Sequence, residues 1–446
     1  MRLFLLFLLP TLSFASILDN GSGYNNTLFA EGFRSEGNVS SQEEDDTFIL
    51  KEIFKDPDGL ISSTFIIPDK LKGRVMFWAN IYGRYPLSVA VVHDKKDPSI
   101  VYDILDLSSI FNDIKLNPAG KEAKFEKLVA ERKQLIKDIL KEMSKTKNAK
   151  KFLAKTRDEI KIKKIVTANI KNGLELQTAW QNVRVQLGQK DSILEGLKSS
   201  FRYLPIIEDI FKENGLPWEL TRIPFVESSF NIDANSKVGA KGIWQIMGVT
   251  GKHFMETKAT YDERYSPFKA SAVAAKLLKE NYDILKSWPL AITAYNHGPG
   301  GLKKACKQLG TKDICKIIAD YKGKTFGFAS QNFYSEFLAA LYVTVYYEKL
   351  FGNIDKGHPL SFYYVNIDKD INVRDLSIIS GLNKSEIASY NPEFSKKMLK
   401  DEFPIKKGSK IKLPGRASYK VEDYFVKISD KKELERELNI NEPEED

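Results

Sequence analysis

Cysteine and histidine are scarce in this chain. Cys306 and Cys315 are the two cysteines among 446 residues, and there are four histidines, scattered. A disulfide-rich scaffold is excluded, and no set of these residues has the spacing of a metal site, so neither metal nor cofactor is expected. Beyond the first residues, no segment offers the roughly 18 uninterrupted apolar residues that a membrane span requires. No nucleic-acid motif has the expected spacing either, although the formal net charge is +9. Much of that excess lies between 124 and 164, where lysines alternate with acids and with apolar residues at helical spacing. This reads as a solvated helix face, with attraction to an anionic envelope polymer as the competing reading.

What is present is a globular composition, 42% hydrophobic and 28% charged. The opening MRLFLLFLLPTLSFAS has a basic residue, a short apolar run and a small-x-small end, the pattern of a signal peptide. Cleavage after Ala15 and export to a periplasm are expected, with no cysteine beside the cut to carry a lipid and at most peripheral membrane association. Residues 16–46 read as a flexible linker. A small α+β region is expected over 47–118, with a short amphipathic helix in GRVMFWANIYGRY and strands in LSVAVVHD and SIVYDILDL. His93 and Asp94 read there as a strand-end pair. A helical extension follows over 119–200, a domain of helices broken by glycine-rich turns over 201–350, a small βααβ domain over 360–416 and a charged tail over 417–446.

The chemistry concentrates in ELTRIPFVESSFNID. Leu216, Leu220, Ile223, Glu227 and Phe230 share one helical stripe, so a carboxylate occupies a position that should hold an aliphatic side chain. An ionised carboxylate unpaired in an apolar site takes up a proton instead. Two readings stand for Glu227: a satisfied buried acid, or one tuned for proton transfer. The Ser-Ser-Phe-Asn that follows puts it near a helix C-terminus, where the dipole opposes negative charge, and Pro224 removes a backbone donor, kinking the helix or starting a new turn just before the acid. Cys306 and Cys315, nine positions apart in ACKQLGTKDIC, either bridge in an oxidising compartment or stand as two small buried hydrophobes.

Three separated segments, PFVESSFN, SKVGAKGIWQIM and AYNHGPGG, occur in an order and spacing that resemble the lytic transglycosylase domain, a lysozyme-like fold that cuts peptidoglycan. The resemblance is close over about 180–345. It implies a mainly α fold and a lyase acting on the bond between N-acetylmuramic acid and N-acetylglucosamine, with Glu227 as acid and base. It also implies that Tyr295 stabilises charge at the cleavage point, and that Gln245 and Asn296 hydrogen-bond the sugars or the acid. Ser236 would contact an N-acetyl group and Met247 would line the adjoining subsite. Ser228 is a helix-end hydrogen bond or a catalytic helper, Gly239 a backbone device near the substrate, and Trp244 a core residue. His297 stands where the family has a small residue and reads as a solvated rim side chain. The segment NVRDLSIISGLNKSEIASYNPEFSKKMLKDEFPIKKGSKIKLP resembles a LysM module, a βααβ fold that binds N-acetylglucosamine polymers, although Asp368, Lys369 and Asp370 replace its usual Gly-Asp turn. The partner so implied is a peptidoglycan glycan strand, with cell-wall synthesis or division proteins as further partners. Hydrolysis, with Asp233 or Asp262 positioning water, and a non-catalytic wall-binding scaffold remain the alternatives.

Overall fold

A computed structural model describes residues 47–146, 148–417 and 427–428. The expected leader (1–15), the linker (16–46) and most of the tail lie outside the described residues. The described chain is mainly helical. In chain order it runs α1 (Lys72–Gly83), β1 (Val89–Asp94), β2 (Val101–Asp106), α2 (Pro118–Lys145), α3 (Arg157–Asn169), β3 (Val183–Leu187), α4 (Lys190–Ser200), α5 (Leu204–Glu213) and α6 (Ile223–Ser228). It continues with α7 (Gly248–Phe254), α8 (Pro267–Leu285), α9 (Trp288–His297), α10 (Pro299–Leu309), α11 (Ile314–Asp320) and α12 (Phe328–Val345). The C-terminal part adds β4 (Tyr363–Asn366), α13 (Val373–Ser380), α14 (Lys384–Tyr390), α15 (Lys396–Leu399), β5 (Lys410–Leu413) and β6 (Lys427–Ile428).

These elements form two compact units that interleave along the chain: 1–194 with 292–353, and 195–291 with 354–446. In the first unit, α12 is buried on nearly every side and packs against α1. The α1 helix is buried round much of its circumference, including Val75, Phe77, Trp78, Ile81 and Tyr82, so the amphipathic helix expected there is a core helix instead. The polar seam between the two is satisfied by Asn332, whose Oδ1 accepts from Arg74 Nη1 at 3.2 Å and Trp78 Nε1 at 3.3 Å. A sheet in the order β2-β1-β3, antiparallel throughout, covers the same unit. β3 interrupts a stretch expected to be helical: Val183, Val185 and Leu187 alternate with Arg184 and Gln186, and that period of two pairs with β1 in the register Val92↔Val185.

One face of the sheet packs with α2 and α3 through Val92, Tyr102, Ile136, Leu140, Met143 and Val166. Thr156 and Glu159 form a capping box at the start of α3, and Asn117 caps α2. His93 is fully buried, its Nδ1 2.9 Å from the Asp94 carbonyl, and burial pushes it down to about 3. Tyr102 donates to Asp94 Oδ2 at 3.2 Å, so His93 and Asp94 belong to the strand-end packing.

The second unit is centred on Trp244, fully buried and stacked on Phe211 at 5.5 Å, with its indole N–H donating to Ser271 Oγ on α8 at 2.7 Å. Helix α8 packs on α5. The C-terminal portion runs β4-α13-α14-α15-β5, one short helix more than the expected βααβ order, with β4 and β5 antiparallel in the register Val365↔Ile411 over a core that includes Leu376, Ile387 and Met398. Lys427–Ile428, within the stretch read as a charged tail, instead adds a third strand on the other side of β4.

Candidate active site

The expected single helix from Pro217 is two pieces, a 3-10 turn over Trp218–Arg222 followed by α6. Pro224 sits in the first turn of α6, where its missing N–H costs nothing. The whole stripe Leu216, Leu220, Ile223, Glu227 and Phe230 is buried. Arg222, paired with Glu208 at 2.8 Å, pins the turn before the acid. Glu227 is 7% exposed and forms no hydrogen bond or ion pair among the described residues. Burial alone pushes its carboxyl from 4.5 up to about 8, so it carries a proton at neutral pH.

The chain leaves α6 through two successive left-handed residues. Ser229 and Phe230 both take left-handed conformations, with φ of 51° and 58°. Their amides return to Phe225 O at 3.1 Å and Pro224 O at 3.0 Å. The reversal lies against α4 at Gly196, where a Cβ would stand 1.9 Å from the Ser229 carbonyl oxygen. Gly196 was missed in the sequence; its signal is a glycine inside a helix, a choice that costs about 1 kcal/mol and so asks for a packing reason.

Ser228 Oγ donates to Ile243 O at 3.0 Å, tying α6 to the following turn, so it is a helix-end and loop contact. That turn, from 234 to 247, holds the next group of candidates. Ser236 Oγ accepts from Ala240 N at 2.9 Å and closes a tight loop through Gly239, whose φ is 85°. Gly242 has φ of 70° and passes so near Arg264 O that a Cβ would come within 1.9 Å. Gln245 is itself left-handed (φ 47°), its Nε2 donating to Gly242 O at 2.9 Å, and Met247 is half-buried at the start of α7. Arg264 holds this loop from behind: Nη1 donates to Gly239 O at 2.9 Å while Nε and Nη2 grip Asp262 at 2.9 and 2.8 Å. Burial would raise Asp262, but Arg264 and Lys241 outweigh it and hold the carboxylate below its usual range. Asp262 is thus committed to two cations, and Asp233 lies exposed.

Tyr295 and Asn296 lie on the part of α9 that belongs to the other unit. Tyr295 is half-buried. Asn296 is buried, and its Oδ1 accepts from Ser330 Oγ at 3.0 Å. His297, read as a solvated rim residue, is half-buried instead: its Nδ1 lies 3.1 Å from Ser330 Oγ, its ring meets Phe326 edge-on, and burial pushes it down from its usual value. Cys306 and Cys315 are free thiols, so the disulfide allowed for in the sequence is not formed. Burial, followed by Asp313 beside it, pushes Cys315 up to about 11, which keeps that thiol protonated.

Residues 205–318 match the family model of the Transglycosylase SLT domain. The match includes Glu227, the 236–247 loop, Tyr295 and Asn296. Among curated proteins, the chain is 34% identical over 107 residues to membrane-bound lytic murein transglycosylase D of Escherichia coli (strain K12), and equally to the protein of that name from Escherichia coli O6:H1. It is 31% identical over 111 residues to a protein of Alteromonas sp. (strain M-1) named for tributyltin chloride resistance. Each match takes in 24% of this chain; it spans 24% of the two Escherichia coli relatives and 52% of the third. The SLT match is shorter at both ends than the 180–345 read from the motifs, so Gly196 lies outside it.

Proposed function

We propose that the chain is a peptidoglycan lytic transglycosylase in which Glu227 is the single acid and base. The observation that carries this reading is a buried carboxyl, without a partner among the described residues, raised to about 8 inside a matched SLT domain. Such a group holds its proton at the pH at which a glycosidic oxygen must be protonated. Glu227 would donate that proton to the oxygen linking N-acetylmuramic acid to N-acetylglucosamine, and the C1–O bond breaks. As carboxylate it would then take the proton of the muramoyl C6 hydroxyl, whose oxygen closes on C1. The product is a 1,6-anhydromuramoyl end, and no water is consumed.

Hydrolysis by the usual two-carboxylate route needs a second acid. The two candidates named for it fit poorly, since Asp262 is bound to Arg264 and Lys241 and Asp233 is exposed. In the same proposal Tyr295 stabilises charge at C1, and Gln245, Asn296, Ser236 and Met247 bind the sugars, with Gly239 giving the backbone room. The C-terminal module would be LysM-like, with affinity for N-acetylglucosamine polymers. Periplasmic localisation is part of the reading; no helix among the described residues is long and apolar enough to cross a membrane. The test is release of soluble fragments from purified peptidoglycan. The account expects release by the native chain, none by Glu227→Gln, and retained binding by both; undiminished release by the variant would refute the assignment.

A further inference from the structure

The C-terminal module does not hang from a linker within its unit. Tyr261 and Phe394 form an antiparallel bridge, in which the Asp262 amide donates to Glu393 O at 3.0 Å and the Ser395 amide donates to Thr260 O at 2.9 Å. The two rings lie 6.1 Å apart, Phe394 is 6% exposed, and Tyr261 packs against the module's core. The turn that makes this contact is braced from inside the module. Asn391 exchanges two hydrogen bonds of 2.8 Å with the Lys412 backbone, and the Lys412 ammonium is paired with the buried Glu393 carboxylate. A second attachment lies at the module's entry, where the Leu360 amide donates to Arg202 O at 2.9 Å and Phe362 stacks on Phe268 at 5.4 Å.

Asp262 is therefore held from two directions. Its amide is held by the module, and its carboxylate holds Arg264, which in turn holds Gly239 O and Ile246 O on the loop that carries Gln245. From this continuous path we infer that the C-terminal module is a positioning element for the 239–246 loop, acting through Asp262 and Arg264. This goes beyond local concentration of substrate by a tethered binding module, which would leave the chemistry unchanged. It rests on the proposed function only for its effect on turnover; its effect on the loop stands independently.

The experiment compares the full chain with Phe394→Ala, Phe394→Tyr and the double variant Tyr261→Ala/Phe394→Ala. Amide exchange at 239–246 is read beside cleavage of a soluble glycan too short to reach the module. Loss of the rings should accelerate exchange at Ala240, Gln245 and Ile246 about tenfold, and Phe394→Tyr should restore protection. The specificity constant kcat/KM should fall by a similar factor in Phe394→Ala and recover in Phe394→Tyr, because the loop that carries Gln245 is misplaced more often. Faster exchange at 260–262 with unchanged exchange at 239–246 would overturn the inference, as would unchanged exchange at both places in the double variant. If the native chain cleaves no glycan, the proposed function fails, while the exchange data still decide the positioning role.

Discussion

Replacing Glu227 by Gln should stabilise the protein at neutral pH and do nothing for it in acid. The carboxyl is raised from 4.5 to about 8 by burial, so below pH 4.5 it is protonated in both the folded and the unfolded chain. As pH rises from 4.5 the unfolded chain gives up the proton while the folded chain keeps it. The unfolded state then binds fewer protons, and stability falls with pH until the folded group also ionises near 8. At pH 7 the interval is about 2.5 pH units, which at about 1.36 kcal/mol each costs about 3 kcal/mol. Glutamine has nearly the same shape, carries no charge, and loses no hydrogen bond that Glu227 makes among the described residues. Thermal unfolding should therefore show Glu227→Gln melting about 6–12 °C above the native chain at pH 7, with the gap closing by pH 4. Equal melting at pH 7, or a less stable variant there, would refute the idea that an uncompensated buried acid is maintained at this position. Such a cost is expected where function, not stability, selects a residue.

The same value sets an activity limb: cleavage should decline above about pH 8 as Glu227 loses its proton, and a fall beginning near pH 5 would assign the titration to another group. Gly196→Ala places a methyl carbon 1.9 Å from the Ser229 carbonyl oxygen, and should destabilise by about 1–3 kcal/mol while displacing the end of α6, measurable as a lower melting temperature with reduced turnover. Arg264→Lys keeps a charge for Asp262 but cannot also reach Gly239 O and Ile246 O, so turnover should fall several-fold with Asp262 still ionised; full activity would show that the fork is dispensable.

Much of the candidate site was legible because it follows helical period. Leu216, Leu220, Ile223 and Phe230 marked a buried stripe, and the one acid on it is Glu227. The two strands and the first two helices of the C-terminal portion were legible for the same reason, whereas Lys396–Leu399, a single turn capped by Ser395, is too short to show a period. What escaped depends on distant partners. The Val183–Leu187 strand is five residues long between helices, and becomes a strand because β1 supplies the backbone bonds. Asn332 satisfies Trp78 across 254 residues, a pairing that no local pattern announces. Gly196 owes its place to the Ser229 carbonyl against it, more than thirty residues along the chain. His297 was misjudged because its burial comes from Phe326 and Ser330, about thirty residues further along the chain.

The central claim is that one carboxyl cuts the glycan without water. It is tested most directly by digesting purified peptidoglycan in ¹⁸O-labelled water and weighing the released fragments. Fragments released by the single-carboxyl route carry 1,6-anhydromuramoyl ends with no label. Reducing ends carrying ¹⁸O would contradict it, and would call for a second catalytic carboxylate.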